Sequence, residues 1–345
     1  MGVDLGDLAI KHPMSLEKMG GRIVAIDAFN TLYQFLSSIR QEDGTPLMDY
    51  KGRITGHLSG LLYRNARLLE NGVRPVYVFD GKAPAFKRRT QQARMEAKKE
   101  AEAKWKLALE EERPEDAKKF AKATARLTPE MVVESKKLLE ALGIPVVQAP
   151  SEGEAQAAVM VREGIAYASA SQDYDSLLFG SPLLIRNVSI TGKRKIPRQD
   201  RYVLVEPEEI ILDETLRSLD INREQLVLMG LLIGTDFNEG IYGIGPKKAL
   251  KIVKEAKTLE HLCSYVKARL NSDFPEDIQE IYEFFIKPPY TKPEKLIFGK
   301  VNVDSVRKIL VDEHDFAPER IESTLEKIEA ASKEKGSQRR MDEWF

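Results

Sequence analysis

RIVAIDA, at residues 22–28, is a short, continuous apolar run with an acid near its end. Two further runs of the same kind follow, RPVYVFD at residues 74–80 and IAYASAS at residues 165–171. Uninterrupted apolar strands of this length are typical of a parallel sheet that helices cover on both faces. The helical patterns that separate them lie at residues 31–39, 56–70, 129–142 and 154–163. The alternation predicts an α/β protein with a doubly wound, mainly parallel sheet.

Composition and length indicate a globular chain. It has 345 residues, of which 42% are hydrophobic and 31% charged, so disordered and fibrous classes are excluded. Cys263 is the single cysteine, which excludes an intrachain disulfide and a zinc site built from several thiolates. The N-terminus lacks the pattern of a secretion signal, and no run approaches the ~18 apolar residues of a membrane span. We therefore expect a soluble, intracellular protein.

A further strand is expected at residues 144–148, and the chain from about residue 207 is predicted to be helical apart from glycine-rich residues 240–245. The polar stretch after residue 331 is predicted to be a flexible tail.

Charge is unevenly distributed along the chain. The totals of 53 Lys and Arg against 54 Asp and Glu give a net charge of −1, which taken alone argues against a nucleic-acid partner. Residues 82–126, however, hold 14 basic and 8 acidic side chains, a net charge of +6. Their composition favours helix but shows little apolar periodicity. This segment is either a solvated helical face or a mobile basic element that handles a phosphate backbone.

Acids stand at or just beyond the end of each predicted strand. The carboxyl ends of parallel strands meet at one edge of the sheet, so we expect these acids to converge there. Seven such residues are candidates: Asp27, Asp80, Glu152, Glu154, Asp173, Asp175 and Asp236. Carboxylates gathered in one place repel one another, and Mg²⁺, which prefers oxygen ligands, relieves that repulsion. A site with this many acids has room for two ions ~3.5–4 Å apart, the arrangement that supports phosphodiester hydrolysis.

Each acid also has an ordinary structural interpretation. Asp27 and Asp173 are suited to capping a helix, and Asp80-Gly81 is a common turn. Ser151 and Glu154 have the spacing of a capping box. The Asp173-x-Asp175 pair also resembles the nucleophile motif of aspartate-based phosphatases, although there it follows the first strand.

The glycine-rich run GIYGIGPKKALKIV, at residues 240–253, has the G-x-G-x-x-x-A pattern of a helix–hairpin–helix. Its glycines let backbone N–H groups approach a DNA phosphate, and Lys247 and Lys248 fall on the first turn of the next helix. An ordinary helix–helix turn is the alternative. The spacing favours DNA, read by backbone shape and not by base sequence.

Seven motifs in order carry a resemblance to the flap endonucleases of the XPG-type 5′-nuclease family. They are MGVDLGDL, IDAFNTLYQFL, YVFDGKAPAFK, APSEGEAQAA, SASQDYDSLLFG, GTDFN and GIGPKKAL, spread over about residues 1–250. The resemblance implies a PIN-like (resolvase-like) α/β fold with an arch of helices over the site. It also implies a structure-specific, Mg²⁺-dependent 5′-flap endonuclease and 5′-exonuclease of lagging-strand synthesis and repair, leaving 5′-phosphate and 3′-hydroxyl ends.

The resemblance also assigns roles to particular residues. The seven acids match its metal ligands, for two Mg²⁺ ions with Mn²⁺ as a substitute. Lys87 and Arg94 match basic side chains of the arch that bind the scissile phosphate. Tyr33 matches an aromatic residue on which a nucleobase stacks. Gly2 matches a processed N-terminus near the site. The hairpin residues Gly243, Gly245, Lys247 and Lys248 match a duplex contact that holds K⁺.

The C-terminus resembles a motif that binds the sliding clamp, of the proliferating cell nuclear antigen type. It has the pattern Gln-x-x-Met-x-x-Trp-Phe, formed by Gln338, Met341, Trp344 and Phe345. Trp344 stands where Phe or Tyr is more usual. No basic extension follows, so we expect an archaeal type of protein, cytoplasmic and nucleoid-associated.

The expected organisation is a single nuclease domain over residues 1–331 and a tail over residues 332–345. We expect a monomer whose partners are branched or flapped DNA and the clamp. The domain is divided into an N-terminal region (1–81), a basic helical arch (82–126), an internal region (127–239), the hairpin (240–253) and a helical C-terminal part (254–331). A non-catalytic DNA-junction binder with the same fold is the rival interpretation.

Overall fold

A seven-stranded sheet lies at the centre of the computed structural model, which describes residues 2–6, 8–41, 43–111, 113–188, 192–195, 202–293 and 295–342. The strands are β1 His12–Pro13, β2 Ile23–Asp27, β3 Arg74–Phe79, β4 Val146–Gln148, β5 Ala168–Ala170, β6 Leu183–Arg186, β7 Gly192–Lys195, β8 Tyr202–Val205 and β9 Glu208–Ile211. Their order in the sheet is β1-β9-β6-β5-β2-β3-β4, while β7 and β8 form a separate hairpin.

The five strands β6-β5-β2-β3-β4 are parallel, and β9 and β1 extend one edge in antiparallel pairs. The predicted α/β class with a mainly parallel sheet is therefore confirmed. Successive residues of β2 face opposite sides, as the strand period requires. Val24 and Ile26 pack in one apolar cluster, whereas Ala25 packs in another on the other face.

The helices flank this sheet. They are α1 Ala28–Ser38, α2 Gly56–Glu70, α3 Arg88–Glu110, α4 Pro114–Ala123, α5 Pro129–Ala141, α6 Gly153–Arg162, α7 Asp175–Leu178, α8 Leu212–Leu219, α9 Arg223–Ile233, α10 Pro246–Ala256, α11 Leu259–Leu270, α12 Ile278–Ile286, α13 Val303–Arg307 and α14 Pro318–Asp342. Short 3₁₀ turns lie at Leu16–Met19 and Ala85–Lys87, and a π-helical turn at Lys308–Asp312. Among the described residues, no helix has both the length and the apolar character needed to cross a membrane.

The basic insertion folds as the helical pair α3 and α4, which we call the arch. Helix was expected here, but no pattern in the sequence predicts a contact between its helices. The structure has one: Ala108, Ala117 and Ala121 are fully buried between and beneath the two helices. Alanines suit this contact because their small side chains let the two helices approach each other, while the long charged side chains stay in solvent.

The C-terminal part differs from the sequence-based expectation in three places. Glu208–Ile211 is the strand β9 and not helix, because Ile210 is fully buried against the sheet. Residues 287–293 and 295–302 form neither helix nor strand, since the prolines at 288, 289 and 293 cannot continue a helix. The backbone is helical to Asp342, where a flexible tail was expected from residue 332, because Lys, Glu, Gln and Arg in this stretch are strong helix formers.

Candidate metal centre

The first two acids end neighbouring parallel strands. Asp27 is the last residue of β2 and also caps α1, accepting a hydrogen bond from the backbone N–H of Asn30 at 3.1 Å. Asp80 directly follows β3, and its Oδ1 accepts from the N–H of Gly153 at 2.8 Å. The capping interpretation of Asp27 is therefore correct, but it does not exclude a place in the site, because the second carboxylate oxygen remains available.

Glu152 and Glu154 enter from the start of α6. Glu152 occupies the N-cap position without a side-chain cap bond, so the expected capping box with Ser151 does not form. Glu154 instead accepts a hydrogen bond from the hydroxyl of Ser171, beyond β5. The side chain of Glu154 therefore does not cap its own helix and instead points to the end of β5.

Asp173 and Asp175 follow β5, each held by a different part of the chain. The side-chain amide of Asn30 donates to Asp173 at 2.8 Å, and the N–H of Val3 donates to Asp175 at 2.6 Å. Gly2 lies against the same pair: a Cβ at Gly2 would be 2.8 Å from Asp175 Oδ1. The N-terminal residues therefore border the acids, as predicted for Gly2.

Asp236 reaches the same pocket from a rigid loop after α9. Gly234 adopts φ +107°, a conformation that favours glycine. The side chains of Thr235 and Asn238 hydrogen-bond each other at 2.8 Å, and Asn238 donates to the carbonyl of Leu231 at 2.8 Å. This network fixes the loop and with it the carboxylate of Asp236.

Burial and mutual repulsion shift the protonation of these acids, which we call the acid pocket. Burial raises the pKa of Asp175 to about 8, with the charge of Asp236 adding to the effect. Burial, followed by the charge of Glu152, raises the pKa of Asp80 to about 6. Asp27, Glu154 and Asp173 also have a raised pKa, caused first by burial and then by neighbouring carboxylates. The structure thus brings the sequence-predicted acids into one electrostatic cluster.

Two arch cations offset part of this repulsion. Lys87 Nζ lies 2.5 Å from Glu152 Oε2, and Arg94 donates to Asp236. Burial works against the charge of Lys87, but Glu152 and Asp80 outweigh it and raise the pKa of the lysine. Burial likewise opposes ionisation of Asp236, yet the hydrogen bond from Arg94 holds its pKa below the usual value.

Phe86 fixes the segment just before α3 beside the acids. Its ring packs edge-on against Phe237 at 5.5 Å and against Phe284 at 5.4 Å between centroids. The adjacent Lys87 ammonium lies 5.6 Å from the Phe237 ring. Lys87 and Asp236 are therefore positioned by the same aromatic cluster.

The donor set of the acid pocket fits hard divalent cations. All seven candidate ligands are Asp or Glu, so the donor atoms are carboxylate oxygens. In the described part of the chain no three ligand side chains already converge at the geometry of a bound ion. Two of the carboxylates, those of Glu152 and Asp236, are paired with Lys87 and Arg94.

The remaining predicted residues lie outside the acid cluster. Tyr33 is 37% exposed on α1, with Lys98 Nζ 4.6 Å from the centre of its ring. In the hairpin, Lys247 and Lys248 are exposed, and Lys248 donates to the carbonyl of Gly243 at 2.9 Å.

A Cβ at Gly243 or Gly245 would meet no atom within 4 Å, so the hairpin backbone is open to a partner. In the clamp motif, Gln338 and Met341 lie on α14, where the structure describes only the backbone. Trp344 and Phe345 lie outside the described residues.

Sequence reasoning missed two residues that organise the site. Asn30 bonds Asp27 and Asp173 and also accepts from the N–H of Gln172 at 3.2 Å. Thr90 donates to the carbonyl of Asp236 at 2.6 Å. The position of Asn30, three residues after Asp27, could have marked it as a cap partner, whereas no sequence signal links Thr90 to Asp236.

Comparison with known proteins places the chain among nucleases. Residues 5–101 match the XPG N-terminal domain, and residues 143–236 match the XPG I-region. The chain is 50% identical to flap endonuclease 1 of Aeropyrum pernix, covering all of both proteins. It is 51% identical to flap endonuclease 1 of Pyrococcus abyssi over the whole chain and 98% of that protein. The solved flap endonuclease-1 from Methanococcus jannaschii superimposes with a TM-score of 0.76 at 39% identity, over 97% of this chain and all of that one.

Without a divalent cation, the acid pocket should make stability fall as pH rises. An acid whose folded pKa is raised stabilises the fold below its unfolded pKa, and this contribution is lost as pH rises through the folded pKa. For Asp175 that window runs from its ordinary value of 3.8 to about 8. We expect the free energy of unfolding in EDTA to fall by about 1 kcal/mol per pH unit between pH 6 and 8, measured by urea denaturation.

Two variants identify the source of this slope. Asp175→Asn should stabilise the EDTA-treated protein at pH 8 and flatten the slope, because it removes one repelling charge. Asp312→Asn, at an exposed acid on the surface, should leave both unchanged. Equal slopes in the wild type and in Asp175→Asn would contradict the assignment.

Proposed function

This chain belongs to the flap endonucleases of the XPG family, and we propose that its acid pocket is the centre at which this divalent-metal-dependent, structure-specific enzyme cuts 5′-flapped DNA. The observation that carries the proposal is the convergence of seven carboxylates at one sheet edge beneath two arch cations. Buried carboxylates that repel one another destabilise a fold unless a ligand neutralises them. A divalent cation is that ligand.

The proposed ligands fall into two groups by the elements that carry them. Asp27, Asp80, Glu152 and Glu154 come from β2, β3 and the start of α6, whereas Asp173, Asp175 and Asp236 come from the β5–α7 turn and the α9 loop. We assign them to two Mg²⁺ ions, for which Mn²⁺ can substitute. Such ions, when bound, would supply Lewis-acid activation of water and stabilisation of the leaving oxygen. The proposed products are a 5′-phosphate and a 3′-hydroxyl.

Lys87 and Arg94 neutralise the scissile phosphate in this proposal. Both are now paired with pocket acids, so metal binding at Glu152 and Asp236 frees them for a phosphate oxygen. Their contribution is electrostatic: they stabilise the charge that develops on the phosphate in the transition state. Tyr33, exposed on α1, offers its ring to the base beside the cut. Gly2 contacts the DNA from beside Asp173 and Asp175, where a side chain would collide with these acids.

Outside the acid pocket, the hairpin holds the duplex. Exposed Lys247 and Lys248 meet phosphates, while the open backbone at Gly243 and Gly245 approaches the strand closely. The carbonyl of Gly243, now bonded to Lys248, is suited to K⁺ when that side chain turns to DNA. A monomer suffices for this arrangement, and we place the enzyme in the cytoplasm with the nucleoid, in lagging-strand processing and repair.

A non-catalytic junction binder is the rival. It would bind flapped DNA and turn over none of it in any divalent metal. The buried acids disfavour it, because binding a phosphate backbone is better served by their absence.

Cleavage of a labelled 5′-flap substrate tests the proposal. We expect endonucleolytic and 5′-exonucleolytic products with Mg²⁺ and none with EDTA. The double variant Asp175→Ala and Asp236→Ala should be inactive yet should still bind the substrate. Undiminished cleavage by the double variant would refute the metal assignment, and binding without cleavage by the wild type would support the rival.

Lys87→Ala separates electrostatic catalysis from simple phosphate binding. We expect turnover to fall by about 10²–10³, as when one donor to a developing charge is removed. The dissociation constant for DNA should change by less than tenfold. Lys82→Ala, at an exposed lysine of the same segment, is the matched control and should change neither. Equal losses of turnover and affinity would reduce Lys87 to a phosphate contact.

The clamp motif is tested by truncation. Removing residues 338–345 should leave cleavage by the isolated enzyme intact, because no residue of the acid pocket or hairpin is lost. The same truncation should abolish stimulation by the sliding clamp, since Met341, Trp344 and Phe345 are the proposed apolar anchors. Stimulation that persists after truncation would exclude the motif as the clamp contact.

A further inference from the structure

A pocket of about 280 Å³ lies at the base of the arch, and none of its lining residues belongs to the acid pocket. We call it the arch-base pocket. Its walls come from the end of α1, the loop between α1 and α2, the arch helix α3 and the residues that follow α4. The apolar lining is formed by Leu36, Met48, Ile54 and Trp105.

The pocket is built from elements that are fixed to one another. Arg40 donates to the carbonyl of Gly44 at 2.9 Å and to the hydroxyl of Thr124 at 3.4 Å, which joins the loop to the end of α4. Gly44 adopts φ +90°, and a Cβ there would lie 2.9 Å from the Cβ of Ala121. Loop and arch are therefore packed together, and the pocket is present before any ligand arrives.

Its chemistry suits a planar aromatic ligand with a negative charge beside it. The indole N–H of Trp105 is buried and has no hydrogen-bond partner among the described residues. This N–H has no surface that a ligand in the pocket could reach, so Trp105 contributes its ring and not its N–H to the pocket wall. Arg40 and Arg126 against the single acid Glu102 leave an excess of one positive charge at the rim.

The pocket also lies close to Tyr33, further along the same face of α3. On α3, Lys98, Glu102 and Trp105 share one face because they are four and then three residues apart. Lys98 lies over the ring of Tyr33, and Leu36 is one turn further along α1. Trp105 thus follows Lys98 by about 10 Å along α3. A strand that stacks a base on Tyr33 reaches the pocket about two to three nucleotides further on.

We propose that the arch-base pocket binds one nucleobase of the single-stranded 5′ flap. The base packs against the indole ring of Trp105, and the adjoining phosphate lies toward Arg40 and Arg126. Every base has an aromatic face, so the pocket tolerates any sequence. This proposal rests on the proposed function, since it takes a flap passing Tyr33 as the ligand.

Flap length is the variable that tests the pocket. Dissociation constants would be measured by fluorescence anisotropy in EDTA, with a one-nucleotide flap and a long flap. Trp105→Ala should weaken binding of the long flap about tenfold and leave the one-nucleotide flap unchanged, because the short flap cannot reach the pocket. Trp105→Phe, which keeps an aromatic face, should lose much less. Leu107→Ala, at a 48% exposed leucine of the same helix, is the control and should match the wild type.

An abasic scan identifies the occupant. Replacing flap nucleotides one at a time by an abasic residue should weaken wild-type binding at one position. The same replacement should have no effect on Trp105→Ala, because the base and the indole make one interaction.

Three results would contradict the proposed binding of a flap base. Trp105→Ala could weaken binding of short and long flaps equally, or it could affect neither. The abasic scan could also find no sensitive position, as expected if the pocket bound a protein segment. In each case Mg²⁺-dependent cleavage of the one-nucleotide flap by the wild type would still uphold the proposed function. Absence of that cleavage would reject the proposed function itself.

Discussion

Mutual repulsion among buried carboxylates is the constraint on which the rest of the structure depends. Burial alone makes ionisation of Asp27, Glu154 and Asp175 costly, and each neighbouring charge adds to that cost. The fold holds these groups together because each is fixed by a backbone or side-chain donor from elsewhere, such as Gly153, Asn30 or Val3. The sheet supplies the rigid frame, and the acids occupy its edge.

The arch is part of the same electrostatic balance. Lys87 and Arg94 pair with the acids, so the position of α3 depends on what else occupies the pocket. In the proposed site, cations that bind the carboxylates would compete with these two side chains and release them toward a phosphate. Metal binding and arch position would thereby be linked through shared ligands, with no need for a separate regulatory element.

Much of this could be predicted from sequence because the governing patterns are local. The strands β2 and β3 are uninterrupted apolar runs, and the acids that follow them converge by sheet geometry. What could not be predicted depends on contacts between distant segments. Glu154 has the spacing of a capping residue but bonds Ser171, and Ile210 turns an expected helix into a strand by filling a place in the sheet. Thr90 and Asp236, 146 residues apart, meet only because Phe86 and Phe237 pack together.

The loop between Asp236 and the hairpin has a consequence for where the DNA is cut. A Cβ at Gly240 would lie 2.1 Å from the carbonyl oxygen of Ile233, so the hairpin starts in direct contact with the end of α9. Asp236 and the hairpin therefore belong to one stiff unit. If the hairpin binds the duplex backbone as proposed, the bond to be cut would lie at a constant number of base pairs from it. The incision point would then be set from the double-stranded side, whatever the length of the displaced strand.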